Sequence, residues 1–195
     1  CKNISDYLND TQLKGLKYYD DIQQRIPYNE IKSIEIHFTK ILKKIDEEAE
    51  LTIAGSYRRK CENSGDIDLL LKSNTRKTYD KFIDVLKDNN YLVEDLARGT
   101  KKYMGLGKTK MSKWCRRIDI MYTKPEEYPF AILYFTGSGE FNERMRGEAL
   151  KQGYTMNEYS IKHLDSGHKV DHKFNYEGDI FKFLNYKYIQ PENRN

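Results

Sequence analysis

Apolar residues at Ile31, Ile34, Phe38, Ile41, Leu42 and Ile45 are spaced by three and four. That spacing predicts one amphipathic helix over Tyr28–Glu48 with its stripe in the core. A shorter helix is expected over Thr11–Gln24, ended by Pro27. The pattern then changes. Leu51–Ala54, Ile67–Leu71, Leu92–Ala97, Lys102–Gly107 and Trp114–Met121 are short apolar or alternating runs and predict strands. Tyr79, Phe82, Ile83 and Leu86 put a helix at Lys77–Asn89 between them, and Lys108–Lys113 is a basic turn. Beyond Lys124, Pro125 and Pro129 bracket a helix start, Ala131–Phe135 is apolar, and Phe141–Gln152 is helical. Tyr154–Ile161 is expected as one strand, Asp179–Leu184 as a short helix, and Pro191–Asn195 as a polar tail. The elements predict an α+β fold: a mixed β-sheet flanked by helices, then a smaller C-terminal α+β subdomain.

Composition changes this picture little. The 195 residues are 38% hydrophobic and 33% charged, with 34 Lys+Arg against 30 Asp+Glu and a net charge of +4. A nucleic-acid partner is permitted but not demanded. No apolar run is long enough to span a membrane, so none is expected as a partner. Cys1, Cys61 and Cys115 are odd in number with no Cys-x-x-Cys pair, which favours a reducing, intracellular compartment. His168 and His172 have zinc-like spacing but no cysteine pair nearby, and are read as a solvated loop.

The chemistry concentrates in Gly55-Ser56-Tyr57-Arg58-Arg59 and Ser64-Gly65-Asp66-Ile67-Asp68. Alternation in a strand points Asp66 and Asp68 the same way. Two adjacent carboxylates repel unless a cation lies between them, and hard oxygen donors suit Mg²⁺. Gly55 permits a tight turn, the segment after it starts a helix whose free N–H groups favour phosphate, and Arg58 and Arg59 add cationic donors. Asp119, in Arg116-Arg117-Ile118-Asp119-Ile120, supplies a third acid if its strand adjoins the first pair. Each piece has an ordinary reading by itself: Asp-x-Asp as a solvated strand end, Asp119 as a surface ion pair with Arg117, Gly55-Ser56 as a plain turn. Their order after a strand favours two metal ions and a triphosphate.

Together GSYRR, SGDIDLLL, RRIDI, ILYFTGS, FNERMR and NEYSI resemble the family X DNA polymerases, the beta- and lambda-like group. GLKYYDDIQQRIP near the start and EGDIFKFLNYKYIQPENR at the end extend the resemblance over nearly the whole chain. It implies a nucleotidyltransferase-type palm over 28–123. Residues 1–27 become the end of a helical duplex-binding thumb, and 124–195 a nucleotide-selection, fingers-like subdomain.

The activity implied is template-directed addition of dNMP to a primer 3′-OH, in short-gap filling or base excision repair. Two Mg²⁺ ions would serve, with Mn²⁺ as a substitute, and the enzyme would be a monomer working on primer-template or gapped DNA with dNTP. An intracellular location is expected, with the cell nucleus and a viral replication site left open as alternatives. Asp66, Asp68 and Asp119 are the implied catalytic metal ligands. Gly55, Ser56, Arg59, Ser64, Gly65 and, on closure, Arg25 would hold the triphosphate. Tyr134, Phe135, Thr136 and Gly137 would line the sugar, and Asn142 would meet the minor-groove edge of the incoming base. Arg117, Arg146 and Tyr159 would serve the DNA side: Arg117 by orienting Asp119 near the primer end, Arg146 on the template side, Tyr159 by fixing the last subdomain.

Three residues depart from the family pattern. Gly139 stands where a side chain often lies against the incoming base and Glu143 where a lysine commonly stacks under the templating base, so looser nucleotide binding and fidelity are expected. Met121 stands where an arginine often competes for an aspartate, so the site is expected to be biased towards the active arrangement. The lyase and helix-hairpin-helix regions are not visible in this sequence, and no lyase activity is expected of it. The alternatives are a template-independent terminal transferase, disfavoured by Tyr134-Phe135 in place of Gly-Trp, a non-catalytic DNA-end-binding domain, and a small-molecule nucleotidyltransferase.

Overall fold

A computed structural model describes residues 7–109 and 111–194. Cys1, Lys110 and Asn195 lie outside the described residues. Helix α1 (Asp10–Lys17) begins with a reciprocal cap between Asn9 and Gln12. Tyr18 (φ −108°, ψ 19°) interrupts the expected single helix, and α2 (Tyr19–Gln23) follows. The two pieces have separate anchors. Lys14 Nζ donates to the Asp95 carbonyl at 2.8 Å and pairs with Glu94 at 2.9 Å. Asp21, in α2, accepts the Cys115 N–H at 2.8 Å. A straight helix would not serve both.

After the two-residue strand β1 (Ile26–Pro27), Pro27 leads into α3 (Tyr28–Ile45) with its φ already near the helical value. The expected stripe is the buried face: Ile31, Ile34, Phe38 and Leu42 are all buried. Glu30, one position outside that stripe, is also buried, and accepts two hydrogen bonds from the buried Arg116, at 2.9 and 2.8 Å.

The sheet contains β2 (Glu50–Ile53), β4 (Ile67–Lys72), β5 (Leu92–Arg98), β6 (Lys102–Gly107) and β7 (Arg116–Thr123) in the order β2-β4-β7-β6-β5. Between β2 and β4 come the single turn α4 (Gly55–Arg58) and β3 (Asn63–Ser64), which pairs with β1. Only β4 and β7 run parallel; the other pairings in this sheet are antiparallel, so it is mixed as expected. Alternation divides its faces. Ile67, Leu69, Leu71, Ile118, Ile120 and Tyr122 pack under α3 and α5 (Arg76–Asp88). The opposite face carries Asp68 and Asp119, then Leu70 and Met121, which pack against Ala131 and Ile132 of α6 (Tyr128–Thr136).

The C-terminal part has its own core, including Phe130, Leu133, Phe141, Met145 and Phe181, built from α6, α7 (Gly139–Lys151) and α8 (Glu177–Phe183). Two expectations change here. The single strand over Tyr154–Ile161 is a hairpin, β8 (Tyr154–Met156) against β9 (Ile161–His163). The Asn157 side chain reverses the chain by accepting the Tyr159 and Ser160 N–H groups. The polar tail is instead a tight 3-10 turn, Pro191–Asn193, followed by a fully buried Arg194. Arg194 donates to the Ile189 carbonyl at 2.9 Å and to Glu177 at 3.0 Å. Its guanidinium carbon lies 5.1–5.5 Å from the ring centres of Phe141, Phe181 and Tyr188, so aromatic faces replace water around the charge. Among the described residues, no helix is long and apolar enough to cross a membrane.

Candidate active site

The parallel pairing of β4 and β7 sets Asp68 directly opposite Asp119. Asp66 precedes β4 by one residue and joins them through Arg117, whose Nη2 lies 3.1 Å from Asp66 and 3.3 Å from Asp119. The surface ion pair that was the ordinary reading of Asp119 therefore exists, but its carboxylate is buried and the same arginine spans a second acid. Burial pushes the Asp68 carboxyl up to about 7, assisted by the charges of Asp66 and Asp119 and opposed by Arg117 and Lys102. Burial alone would depress the Arg117 guanidinium, but the carboxylates around it outweigh that and raise it.

Where β2 ends, the Ala54 N–H makes a last bond to the Asp68 carbonyl at 2.8 Å, and the chain turns at Gly55 with φ +57°. A Cβ at Gly55 would collide with the Asp68 carboxylate, so this turn requires glycine twice over. The helix expected after it is one turn long. Ser56 donates to the Ser64 hydroxyl at 2.7 Å, drawing the turn against β3. Arg25 is already beside Gly65, held by hydrogen bonds to the Asn63 side chain (2.7 Å) and carbonyl (3.1 Å). Gly55, Ser56, Ser64, Gly65 and Arg25 thus border the acids on one side.

Arg59 joins this group to the C-terminal part, donating to the Thr136 carbonyl at 2.7 Å, just before Gly137 with φ +68°. Its neighbour Arg58 does not face the phosphate turn as the sequence suggested. It donates to the Thr136 hydroxyl (2.7 Å) and to Glu177 (2.6 and 3.1 Å) and is structural, because one step along a helical turn swings the side chain by about 100°. Thr136 is fully buried, and its carbonyl is already taken by Arg59. Tyr134 and Phe135 form an edge-on ring pair 5.2 Å apart. Asn142 Nδ2 donates to the Tyr134 carbonyl at 2.7 Å and borders a shallow pocket with Arg146. Tyr159 is set elsewhere, under Lys101 Nζ (4.2 Å) and along a cavity of about 660 Å³ lined also by Phe130 and Phe174.

Lys102 was not singled out from the sequence. Its Nζ lies 3.1 Å from Asp119. It faces Met121 across the β6–β7 ladder, so this strand neighbour supplies a cation to the acids although residue 121 itself carries none. The three carboxylates are chemically suited to a hard divalent ion. Among the described residues, however, no three acid, histidine or cysteine side chains converge closely enough to cage one. The Asp119 oxygens face Lys102 and Arg117 instead.

Residues 25–125 match the family model of the DNA polymerase beta palm, and residues 131–195 that of the DNA polymerase beta thumb. The name thumb falls here on the C-terminal part, described above as a nucleotide-selection subdomain. The chain is 30% identical to DNA polymerase lambda of Arabidopsis thaliana over 97% of its own length and 40% of the relative's. It is also 30% identical to DNA polymerase lambda of Rattus norvegicus, over 94% and 35%. With the DNA nucleotidylexotransferase of Xenopus laevis it shares 25% identity over 100% and 47%. It thus spans less than half the length of each of these relatives. With the palm match covering the sheet and all three acids, the chain belongs to the family X DNA polymerases.

Proposed function

We propose that this chain is the catalytic region of a template-directed DNA polymerase that adds dNMP to a primer 3′-OH, filling short gaps in DNA repair as a monomer inside the cell. The observation that carries the reading is the Asp68–Asp119 pair beside the Gly55-Ser56 turn, with Arg59 tying that turn to the Thr136-Gly137 backbone. Asp66, Asp68 and Asp119 would hold two Mg²⁺ or Mn²⁺ ions. When bound, such ions make the primer hydroxyl more acidic and offset the triphosphate charge.

The chain's own residues do the rest. Ser56, Arg59, Ser64, Gly65 and Arg25 offer hydroxyl, guanidinium and backbone donors to the triphosphate. Asp119 accepts the proton of the 3′-hydroxyl as its oxygen attacks the α-phosphorus and pyrophosphate leaves. Arg117 keeps that carboxylate oriented. The Tyr134–Gly137 backbone would line the sugar and exclude a ribose 2′-OH, Asn142 would meet the incoming base, Arg146 would serve the template side, and Tyr159 would fix the last subdomain near the nascent pair.

A one-nucleotide gapped duplex offered with Mg²⁺ and each dNTP tests this. Incorporation that follows the template, abolished in Asp119→Ala while DNA binding persists, is the expected result. Equal addition of all four nucleotides would favour the second reading, a template-independent transferase, which the similarity to the Xenopus nucleotidylexotransferase keeps in view. DNA binding without addition would leave a DNA-end-binding domain.

A further inference from the structure

Asp119 carries two cations on one oxygen. Lys102 Nζ is 3.1 Å and Arg117 Nη2 3.3 Å from its Oδ2. Arg117 has Asp66 as a second partner, whereas Asp119 is the carboxylate that Lys102 pairs with. Lys102 rises from β6 opposite Met121, and Asp119 is two residues before Met121 on the same sheet face. The lysine stem therefore runs along that face and ends on the acid. Its side chain is 42% exposed while that of Asp119 is 3% exposed, so the ammonium closes a buried carboxylate from the solvent side. A divalent ion taking Asp119 Oδ2 must displace this ammonium, since two cations at that distance repel.

We propose that Lys102 is a tethered counter-ion that competes with the divalent metal for Asp119. It thereby weakens metal binding in the free protein and turns to DNA phosphate when the duplex is loaded. Metal and DNA then assist each other, because the polyanion takes the cation that the metal must evict. The inference rests on the reading of the three aspartates as the metal site.

Mn²⁺ titration of the whole chain, counting the free ion by electron paramagnetic resonance with and without gapped duplex, tests it. Lys102→Met keeps the stem and removes the charge. It is expected to tighten Mn²⁺ binding about fivefold or more without DNA and to shrink the gain that DNA brings. Lys102→Arg keeps the charge and is expected to behave as the parent. Unchanged or weaker Mn²⁺ binding by a folded Lys102→Met protein, checked by circular dichroism, overturns the proposal. Asp119→Ala separates the two failures. If it weakens Mn²⁺ binding while Lys102→Met changes nothing, only the role of Lys102 falls; if it leaves Mn²⁺ binding intact, the metal reading falls and the proposal with it.

Discussion

Arg58 Nη2 lies 2.6 Å from Glu177 Oε1, and this contact joins the turn beside the acids to the first residue of α8. Oε2 takes Arg194 at 3.0 Å, and Tyr188 donates its hydroxyl to Oε1 at 2.8 Å. Glu177 is therefore a buried anion shared by two arginines. Glu177→Ala leaves both cations without their partner and is expected to cost about 3–5 kcal/mol in urea unfolding. The Arg58→Ala, Glu177→Ala double variant should lose less than the sum of the singles.

The same anion gives a pH signature. Burial alone would push the Glu177 carboxyl up, but hydrogen bonds from Arg58 and Arg194 outweigh it and hold it below the ordinary range. Its folded value is thus below its unfolded one. The stability it contributes is present above about pH 4.3 and is lost as pH falls through the folded value. Glu177→Gln should flatten the acid limb of the stability profile in that window.

Asp68 has the opposite sign. Its value of about 7 exceeds the unfolded one, so between roughly pH 4 and 7 the folded chain holds a proton that the unfolded chain has shed. Stability falls with rising pH over that window. In chelator, Asp68→Asn is expected to match the parent near pH 4 and to melt several degrees higher at pH 8. The same variant should lose nucleotide incorporation, so a gain in stability accompanies a loss of activity.

Gly55→Ala tests the close approach at the turn. Its φ of +57° costs a non-glycine residue about 1–3 kcal/mol, and the added methyl meets Asp68. Incorporation should fall by about a hundredfold, since small misplacements of a reacting group have effects of that size. Single-turnover measurements at saturating dNTP would locate the loss in the chemical step.

Gly139→Asp should fold at least as well as the parent. A Cβ there meets nothing within 4 Å, and position 139 begins α7 behind the Ser138 cap, where an acid is favoured. The expected gain is about 0.5 kcal/mol. If residue 139 lies against the incoming base, the variant also binds dNTP more tightly; unchanged affinity and error rate would remove Gly139 from that role, as an unchanged Glu143→Lys variant would remove Glu143 from the template side.

The elements legible in the sequence were those whose period carried their burial. The α3 stripe and the β6 span Lys102–Gly107 emerged from spacing alone. The acids were legible because Asp68 and Asp119 interrupt apolar strands, which few solvated carboxylates do. What escaped depended on partners distant in sequence. Glu192-Asn193-Arg194 has the composition of a solvated end, and it is Glu177, the Ile189 carbonyl and three aromatic rings that make Arg194 a core residue. Arg58 and Arg59 are adjacent and alike, yet Arg58 pairs with Glu177 while Arg59 donates to the Thr136 carbonyl beside Gly137. Lys102 belongs to the site only through its register opposite Met121.

The parallel β4–β7 pairing also has a bearing on how the protein acquires its chemistry. The β5-β6-β7 meander is made of near neighbours in sequence and closes locally, whereas Asp68 reaches Asp119 only after α5, β5 and β6 have been looped out between them. Such long-range parallel closure comes at a higher entropic cost than hairpin formation. The two acids are therefore expected to meet late in folding. A chain with its hairpins formed but this seam open would keep much of its secondary structure and have no reaction centre, so recovery of activity after denaturant dilution should lag behind recovery of the far-ultraviolet signal.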